Sequence, residues 1–328
     1  MKTLILGDKS RSLKYRPDLP ICKDMECVYG PLDDAETSLA LGADADFIIA
    51  DAIAKVPKAL IDGMPNLKLI HSEGVAYNGI DLVAAAERGI PVCNCKGMNA
   101  KAVAEQAVLL MLALLRTLIP GDEAVRQAKQ IEMKQRRMVE GIDELGDVTV
   151  GIIGLGDIGQ ATAKLLDAFG THVLYYNPHR KSEQIERECH VTYLPEDELL
   201  AQSDIVSLHM PVTPETVGSI DAEFIGKMKP GSYLVNTARG ELVDQEALCQ
   251  ALVSGHLAGA GLDTLAPEPV TADNPLLNLP PEAASKVVFS PHLGGITQAF
   301  FFRAHKLVWE NIARVAAGDK PVNIVNGL

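Results

Sequence analysis

The sequence is poor in positive charge. Thirty Lys and Arg stand against 43 Asp and Glu, a net charge of -13 at pH 7. Neutralising phosphates takes clustered basic side chains, so nucleic acid is excluded as a partner, and an anionic membrane surface with it. A small anionic substrate is not excluded, because it responds to local charge rather than to the total. Long apolar runs are lacking as well. The longest, Ala107–Leu115, is too short to span a bilayer and ends at Arg116, so it reads as a helix buried on most sides. At the N-terminus only Leu4–Leu6 is apolar before Asp8 and Lys9, far short of a signal-peptide core. That segment reads as a first strand, and a cytoplasmic location is expected. No further Cys or His at ligand spacing accompanies Cys93 and Cys95. No metal site is therefore expected, and the six thiols read as small buried hydrophobes in a reducing compartment. Internal repeats and low-complexity tracts are absent; the one unusual loop, Ala266–Pro281, holds five prolines.

What is present is alternation. The 328 residues suit two domains, at roughly 100–200 residues each. Candidate strands Thr3–Leu6, Glu26–Tyr29, Asp46–Ala50, Leu67–His71 and Pro91–Cys93 alternate with helix-like segments such as Ala35–Leu41 and Leu82–Arg88. A long helix is expected from about Lys101 to Thr117, stopped by Pro120-Gly121. Residues 122–146 are highly charged and weakly patterned. A second alternation places strands at Val148–Ile153, His172–Tyr176, Ile205–Leu208, Ser232–Val235, Ala258–Leu262 and Val287–Ser290, before a last helix over about Ile296–Ala317. Such βαβ units imply an α/β fold with parallel sheets and helices on both faces.

One turn carries chemistry. The apolar strand at Val148 runs straight into Gly154-Leu155-Gly156-Asp157-Ile158-Gly159, and a helical pattern over Gln160–Phe169 follows. In a strand–turn–helix context G-x-G-x-x-G is the dinucleotide fingerprint. Gly154 makes the tight turn, Gly156 admits the pyrophosphate, and Gly159 lets helix and strand pack closely. The helix N-terminus then offers free N–H groups and a positive dipole end to the phosphates.

Three later strands each end beside one reactive group: Arg239 in Val235–Gly240, Glu268 in the run from Gly261 to Pro269, and His292 in Ser290–Gly295. Ligands of open α/β sheets bind outside the carboxyl ends of strands, so the three can converge. Arg offers a planar fork for a keto acid's carboxylate and carbonyl oxygen. Hydride arriving at a carbonyl carbon leaves charge on oxygen, and His is the usual proton donor near neutral pH. A neighbouring carboxylate keeps the imidazole oriented and protonated. Singly, each has a bland reading as a helix cap, a solvated loop acid or a loop histidine; jointly, after a dinucleotide fingerprint, they point to hydride transfer.

With these segments assembled, the sequence resembles the D-isomer-specific 2-hydroxyacid dehydrogenases over nearly its whole length. The resemblance includes Ala102-Val103-Ala104-Glu105 opening the long helix, Leu208-His209-Met210-Pro211 with Thr213-Pro214-Glu215-Thr216, Val235–Asp244, Gly261–Pro269 and Pro291–Gly295. It implies that Arg239 binds the carboxylate and carbonyl of a 2-keto or D-2-hydroxy acid. His292 is the acid/base, with a pKa raised by Glu268. Val75 and Ala76 would offer backbone N–H groups to the substrate carboxylate. Asp263 would hold the nicotinamide end of the cofactor; Pro211, Thr216, Thr237, Ala238 and Gly294 would line its cleft. Two doubly wound domains are implied, a Rossmann domain over 101–295 inserted into a flavodoxin-like substrate domain of 1–100 and 296–328, with a homodimer built on the Rossmann domains. The chain departs from the family in two places. Ala76 stands where a second Gly is usual, and residues 122–146 lack the family's Trp; Trp309 is the only one.

Cofactor choice is read at the end of the second nucleotide-domain strand, Tyr175-Tyr176-Asn177-Pro178-His179-Arg180-Lys181. NAD enzymes usually place Asp or Glu about 20 residues after the glycine turn, accepting from the ribose 2′-hydroxyl. Here Asn177 falls in that place, followed by His179 and the basic pair Arg180 and Lys181, either of which could meet a 2′-phosphate. The expectation is NADP(H), with NAD(H) as the alternative. The rival functional class is a dinucleotide-sensing corepressor. Formate dehydrogenase is disfavoured because that branch carries Gln where Glu268 stands, and a regulated phosphoglycerate dehydrogenase because no regulatory domain follows the last helix.

Overall fold

A computed structural model describes Met1–Leu328. Two compact units divide the chain: Met1–Asn99 with Ile296–Leu328, and Ala100–Gly295.

The first unit is built on five parallel strands, β1 (Lys2–Leu6), β2 (Glu26–Gly30), β3 (Phe47–Ala50), β4 (Leu69–Ser72) and β5 (Val92–Cys93), in the order β2-β1-β3-β4-β5. Central strands of such a sheet are covered on both faces, so they read as unbroken apolar runs rather than alternations. Phe47–Ala50 and Leu69–Ser72 are buried at every residue. Asp8, Asp34 and Asp81 each cap the helix that follows by accepting a backbone N–H, which fixes where each strand-to-helix turn ends. The last helix, Gln298–Ala316, buries Phe300, Ala304, Trp309 and Ile312 against one sheet face. Strand order reverses between β1 and β3, the switch point at which doubly wound sheets bind ligands.

Seven parallel strands form the second unit: β6 (Thr149–Ile153), β7 (His172–Tyr176), β8 (Val191–Tyr193), β9 (Ile205–Leu208), β10 (Ser232–Asn236), β11 (Leu257–Leu262) and β12 (Val287–Phe289), ordered β12-β11-β10-β9-β6-β7-β8. Its switch point lies between β6 and β9. The helix Ala100–Leu115 packs on β11, and a Cβ at Gly261 would lie 3.0 Å from Leu110 Cβ. The small residues of Ala258–Gly261 are thus what lets that apolar helix lie directly on the sheet.

Four expectations change. The long helix ends at Leu115, and Pro120-Gly121 does not stop a helix but lies inside the next one, Leu118–Arg126. The break comes from Thr117, which takes a left-handed conformation at φ 48°, and Pro120 sits in a first turn that needs no N–H from it. The weakly patterned segment forms a further helix, Gln130–Glu140, and neither of these two helices buries a residue within the chain. An edge strand, β8, was not expected; three residues between polar neighbours carry too little periodicity to register. The helix expected from Gln160 begins at Asp157, within the glycine turn itself. No single helix is long and apolar enough to cross a membrane.

Candidate active site

The glycine turn connects β6 to the helix Asp157–Phe169. Gly154 has φ +101°, and a Cβ on it would meet the His209 carbonyl at 2.8 Å. A Cβ on Gly159 would lie 2.3 Å from the Gly154 oxygen. Both positions therefore demand glycine, one for conformation and close approach, the other for close approach alone. Around Gly156 the space is open, and this residue begins the helix without any side-chain cap. The N–H groups of Asp157, Ile158 and Gly159 find no acceptor in the protein, so the turn presents a cradle of donors at a helix N-terminus. His209, behind Gly154, is half-buried, and desolvation of its ring lowers its pKa to about 4.

At the end of β7, Asn177 is not free. Its Oδ1 accepts from Leu155 N–H at 2.6 Å, bracing the turn and leaving its NH2 group free to donate to a ligand. Arg180 is also engaged: Nε and Nη2 meet the two Glu186 oxygens at 2.8 and 2.9 Å. Hydrogen bonds from Arg180 and from the Tyr175 hydroxyl hold Glu186 down to about 2. The expected basic pair is thus unequal. Lys181 has no carboxylate partner, whereas Arg180 would have to leave one. His179 lies exposed beside them.

Arg239 follows β10. Asn236 shapes the turn, accepting from Ala238 N–H at 2.9 Å through Oδ1 and donating to the Arg239 carbonyl at 2.8 Å through Nδ2. The guanidinium donates to the Ala238 carbonyl at 2.8 Å and pairs with no carboxylate, so most of its fork is open. Gly240 lies against the next loop: a Cβ there would be 2.1 Å from the Leu265 carbonyl carbon. Gln245 and Asn274 both donate to the Ala266 carbonyl, at 2.6 and 3.1 Å, pinning the start of the proline-rich loop that carries Glu268.

Glu268 meets His292. The Nδ1 of the imidazole lies 2.7 and 2.9 Å from the two carboxylate oxygens. A carboxylate only accepts, so Nδ1 carries the proton and Nε2 is the atom left to face a ligand. His292 itself holds a left-handed conformation, φ +54°. Asp263, at the end of β11, makes that possible. Its carbonyl accepts from His292 N–H at 2.8 Å, and its carboxylate accepts from Leu293 and Gly294 N–H, each at 2.9 Å, and from the Ser290 hydroxyl. Gln106 Nε2 donates to the same Ser290 Oγ at 2.8 Å. Asp263 is therefore first a brace for the histidine loop, a use that sequence reasoning missed. Gln106, standing at the head of the apolar run of its helix, was the visible signal for it. Gly294 is needed because a Cβ would crowd Asp263 Oδ2 at 2.8 Å.

Among the remaining expected cofactor contacts, Thr216 Oγ1 accepts from Thr213 N–H and donates to the Pro211 carbonyl, so it folds its own turn. Thr237 Oγ1 is buried and lacks any partner in the protein, so the hydroxyl is available to a ligand. That orphan, the open space at Gly156 and the free helix N–H groups all fit a dinucleotide.

In the first unit, Val75 and Ala76 lie in the loop after β4. Every carbonyl around them is tied down: Gly74 O accepts from Cys95 N–H, Val75 O from Asn94 Nδ2, and Ala76 O from Ser72 Oγ, at 2.8, 2.7 and 2.7 Å. The Val75 and Ala76 N–H groups have no acceptor within the protein. Ala76 does not take a positive φ, so replacing the family's Gly costs no backbone strain here. Gly74 is the demanding position, since a Cβ on it would meet Ala52 Cβ at 2.6 Å. Cys93 and Cys95 are buried, and burial pushes the Cys93 thiol up to about 12.

An open parallel sheet with this glycine turn at its switch point belongs to the dinucleotide-binding α/β proteins. The family model "D-isomer specific 2-hydroxyacid dehydrogenase, NAD binding domain" matches residues 108–294, and the chain belongs to that family. It is 37% identical over 283 residues to a glyoxylate reductase of Korarchaeum cryptofilum, covering 86% of this chain and 83% of that one. A D-3-phosphoglycerate dehydrogenase of Mycobacterium leprae is 37% identical over 303 residues, 92% of this chain but only 55% of its own length. Among solved structures, D-lactate dehydrogenase of Aquifex aeolicus, complexed with NAD and lactic acid, superposes with a TM-score of 0.81 at 29% identity over the full length of both chains.

Proposed function

We propose that the chain reduces a 2-keto acid to its D-2-hydroxy acid, and runs the reverse reaction, with NADP(H) in preference to NAD(H). The second unit binds the cofactor through Gly154–Gly159, Asn177, Lys181 and Thr237; a bound NAD(P)H supplies the hydride. Arg239 holds the substrate carboxylate and carbonyl oxygen in its open fork. His292 gives the Nε2 proton to that oxygen as the carbonyl carbon is reduced, and takes it back in oxidation. Glu268 holds Nδ1–H, fixing tautomer and ring direction. Within the first unit, the Val75 and Ala76 N–H groups are donors suited to a substrate carboxylate.

The observation that carries this reading is the pairing of His292 with Glu268 on loops that also carry an unpaired arginine, all at the carboxyl end of a sheet bearing the glycine turn. Cofactor preference rests on Asn177, an uncharged side chain whose Oδ1 already accepts from Leu155 N–H. The donor that remains suits phosphate oxygens, and Lys181 adds charge. We propose further that the protein works as a homodimer joined through the second unit. Leu118–Arg126 leaves Leu118, Ile119 and Val125 in solvent, and Gln130–Glu140 leaves Ile131, Met138 and Val139, with Val139 at 89% exposure; exposed apolar faces of that kind mark association surfaces.

Absorbance at the nicotinamide band, followed with glyoxylate, hydroxypyruvate, pyruvate and aryl-pyruvates and with each of NADH and NADPH, tests the activity directly. Turnover of at least one keto acid, faster with NADPH, is expected. Tight dinucleotide binding without turnover of any would instead indicate a sensing protein.

A further inference from the structure

The reaction described above makes no use of a group of buried charges at the carboxyl ends of β1, β3 and β4. Glu73 follows β4 directly, with its side chain 5% exposed. Its Oε2 lies 2.6 Å from Arg11 Nη2, and its Oε1 lies 3.3 Å from His305 Nε2. Arg11 Nη2 also meets Asp51 Oδ2 at 2.5 Å, tying in the end of β3. Gly7, at the end of β1, makes room: a Cβ there would sit 3.2 Å from Arg11 Nη2 and 3.7 Å from Glu73 Oε2. Burial pushes the Glu73 carboxyl up, but His305 and Arg11 outweigh it and hold the group below the usual carboxylate range. Enclosing an ion pair in this way costs desolvation that a well-packed apolar pair would not, so packing alone does not account for it.

Its place in the chain does. Glu73 immediately precedes Gly74-Val75-Ala76. The loop's carbonyls are all held from the β4 and β5 side, by Ser72, Asn94 and Cys95. Toward β1 and β3 the loop is held at Glu73 alone, by its backbone N–H donating to the Ala50 carbonyl at 2.7 Å and by its carboxylate, while Gly74 packs beside Ala52. We propose that Glu73 is a positioning residue for substrate binding: joined to Arg11 and His305, it fixes the loop so that the Val75 and Ala76 N–H groups point at one anion. This rests on the reading of those two N–H groups as donors to a substrate carboxylate.

A residue that aims an anchor governs affinity rather than the proton or hydride transfer. Glu73→Gln keeps the shape and removes the charge. Losing a charge-assisted hydrogen bond corresponds to roughly ten- to a hundredfold. The variant is therefore expected to raise KM for the keto acid by about tenfold or more, with kcat at saturation within about twofold and KM for the nicotinamide cofactor unchanged. Arg11→Met should give the same split, and the double variant little more than either alone. Hydrogen exchange read on the peptide covering residues 72–79 should quicken in both single variants and nowhere in the second unit. An unchanged KM, a matching fall in kcat, or unaltered exchange in that peptide would overturn the proposal. Should Glu73→Gln fail to fold, Arg11→Met carries the same readings. If the unaltered enzyme reduced no keto acid, the functional reading would fail, while the exchange comparison would still decide whether Glu73 holds the loop.

Discussion

Arg239, Glu268 and His292 follow three successive strands, and each has a distinct signature to lose. Arg239→Ala should remove most of kcat/KM, and Arg239→Lys should recover little, because an ammonium lacks the planar fork that grips carboxylate and carbonyl together. His292→Ala should act chiefly on kcat, lowering it by roughly 10²–10⁴-fold as expected for a lost general acid; near-normal turnover would remove His292 from the mechanism. At the cofactor ribose, Asn177→Asp keeps an acceptor for Leu155 N–H and adds a negative charge, so preference should move from NADPH toward NADH. Lys181→Ala should raise KM for NADPH more than Arg180→Ala does, since Arg180 is already paired with Glu186. Equal effects on both cofactors would place these side chains away from the 2′ position.

Elements were legible where they are buried strands. Ile205–Leu208 and His172–Tyr176 begin and end where their short apolar runs do, because both faces of a parallel strand are covered and its limits are set by polar or glycine neighbours. The glycine turn was legible because steric demands at Gly154 and Gly159 are written in single residues. Pairings across the chain were not. Arg11 and Glu73 are 62 positions apart, and neither periodicity nor a motif connects them; Asp263 as a brace for His292 is hidden for the same reason. Elements also share constraints. Gly240 touches the Leu265–Ala266 backbone so closely that the loops bearing Arg239 and Glu268 are one body. Gly240→Ala should therefore misplace both groups together, lowering kcat/KM by roughly a hundredfold for a displacement near 1 Å. Dinucleotide binding at Gly154–Gly159, formed by other strands, should remain within a fewfold by fluorescence titration.

For the whole molecule, the proposed association turns on the two helices between Thr117 and Gly141. Their apolar side chains have no partner within the chain, so a second copy is the expected cover. Met138→Asp together with Val139→Asp should shift sedimentation toward monomer; a double variant that stays dimeric would put the interface elsewhere. A mass-action consequence follows from the same uncovered faces. When folding and association are one equilibrium, subunit concentration enters the stability directly. The melting temperature of this protein should climb as it is concentrated and fall on dilution, whereas that of the doubly substituted form should stay flat across the same range.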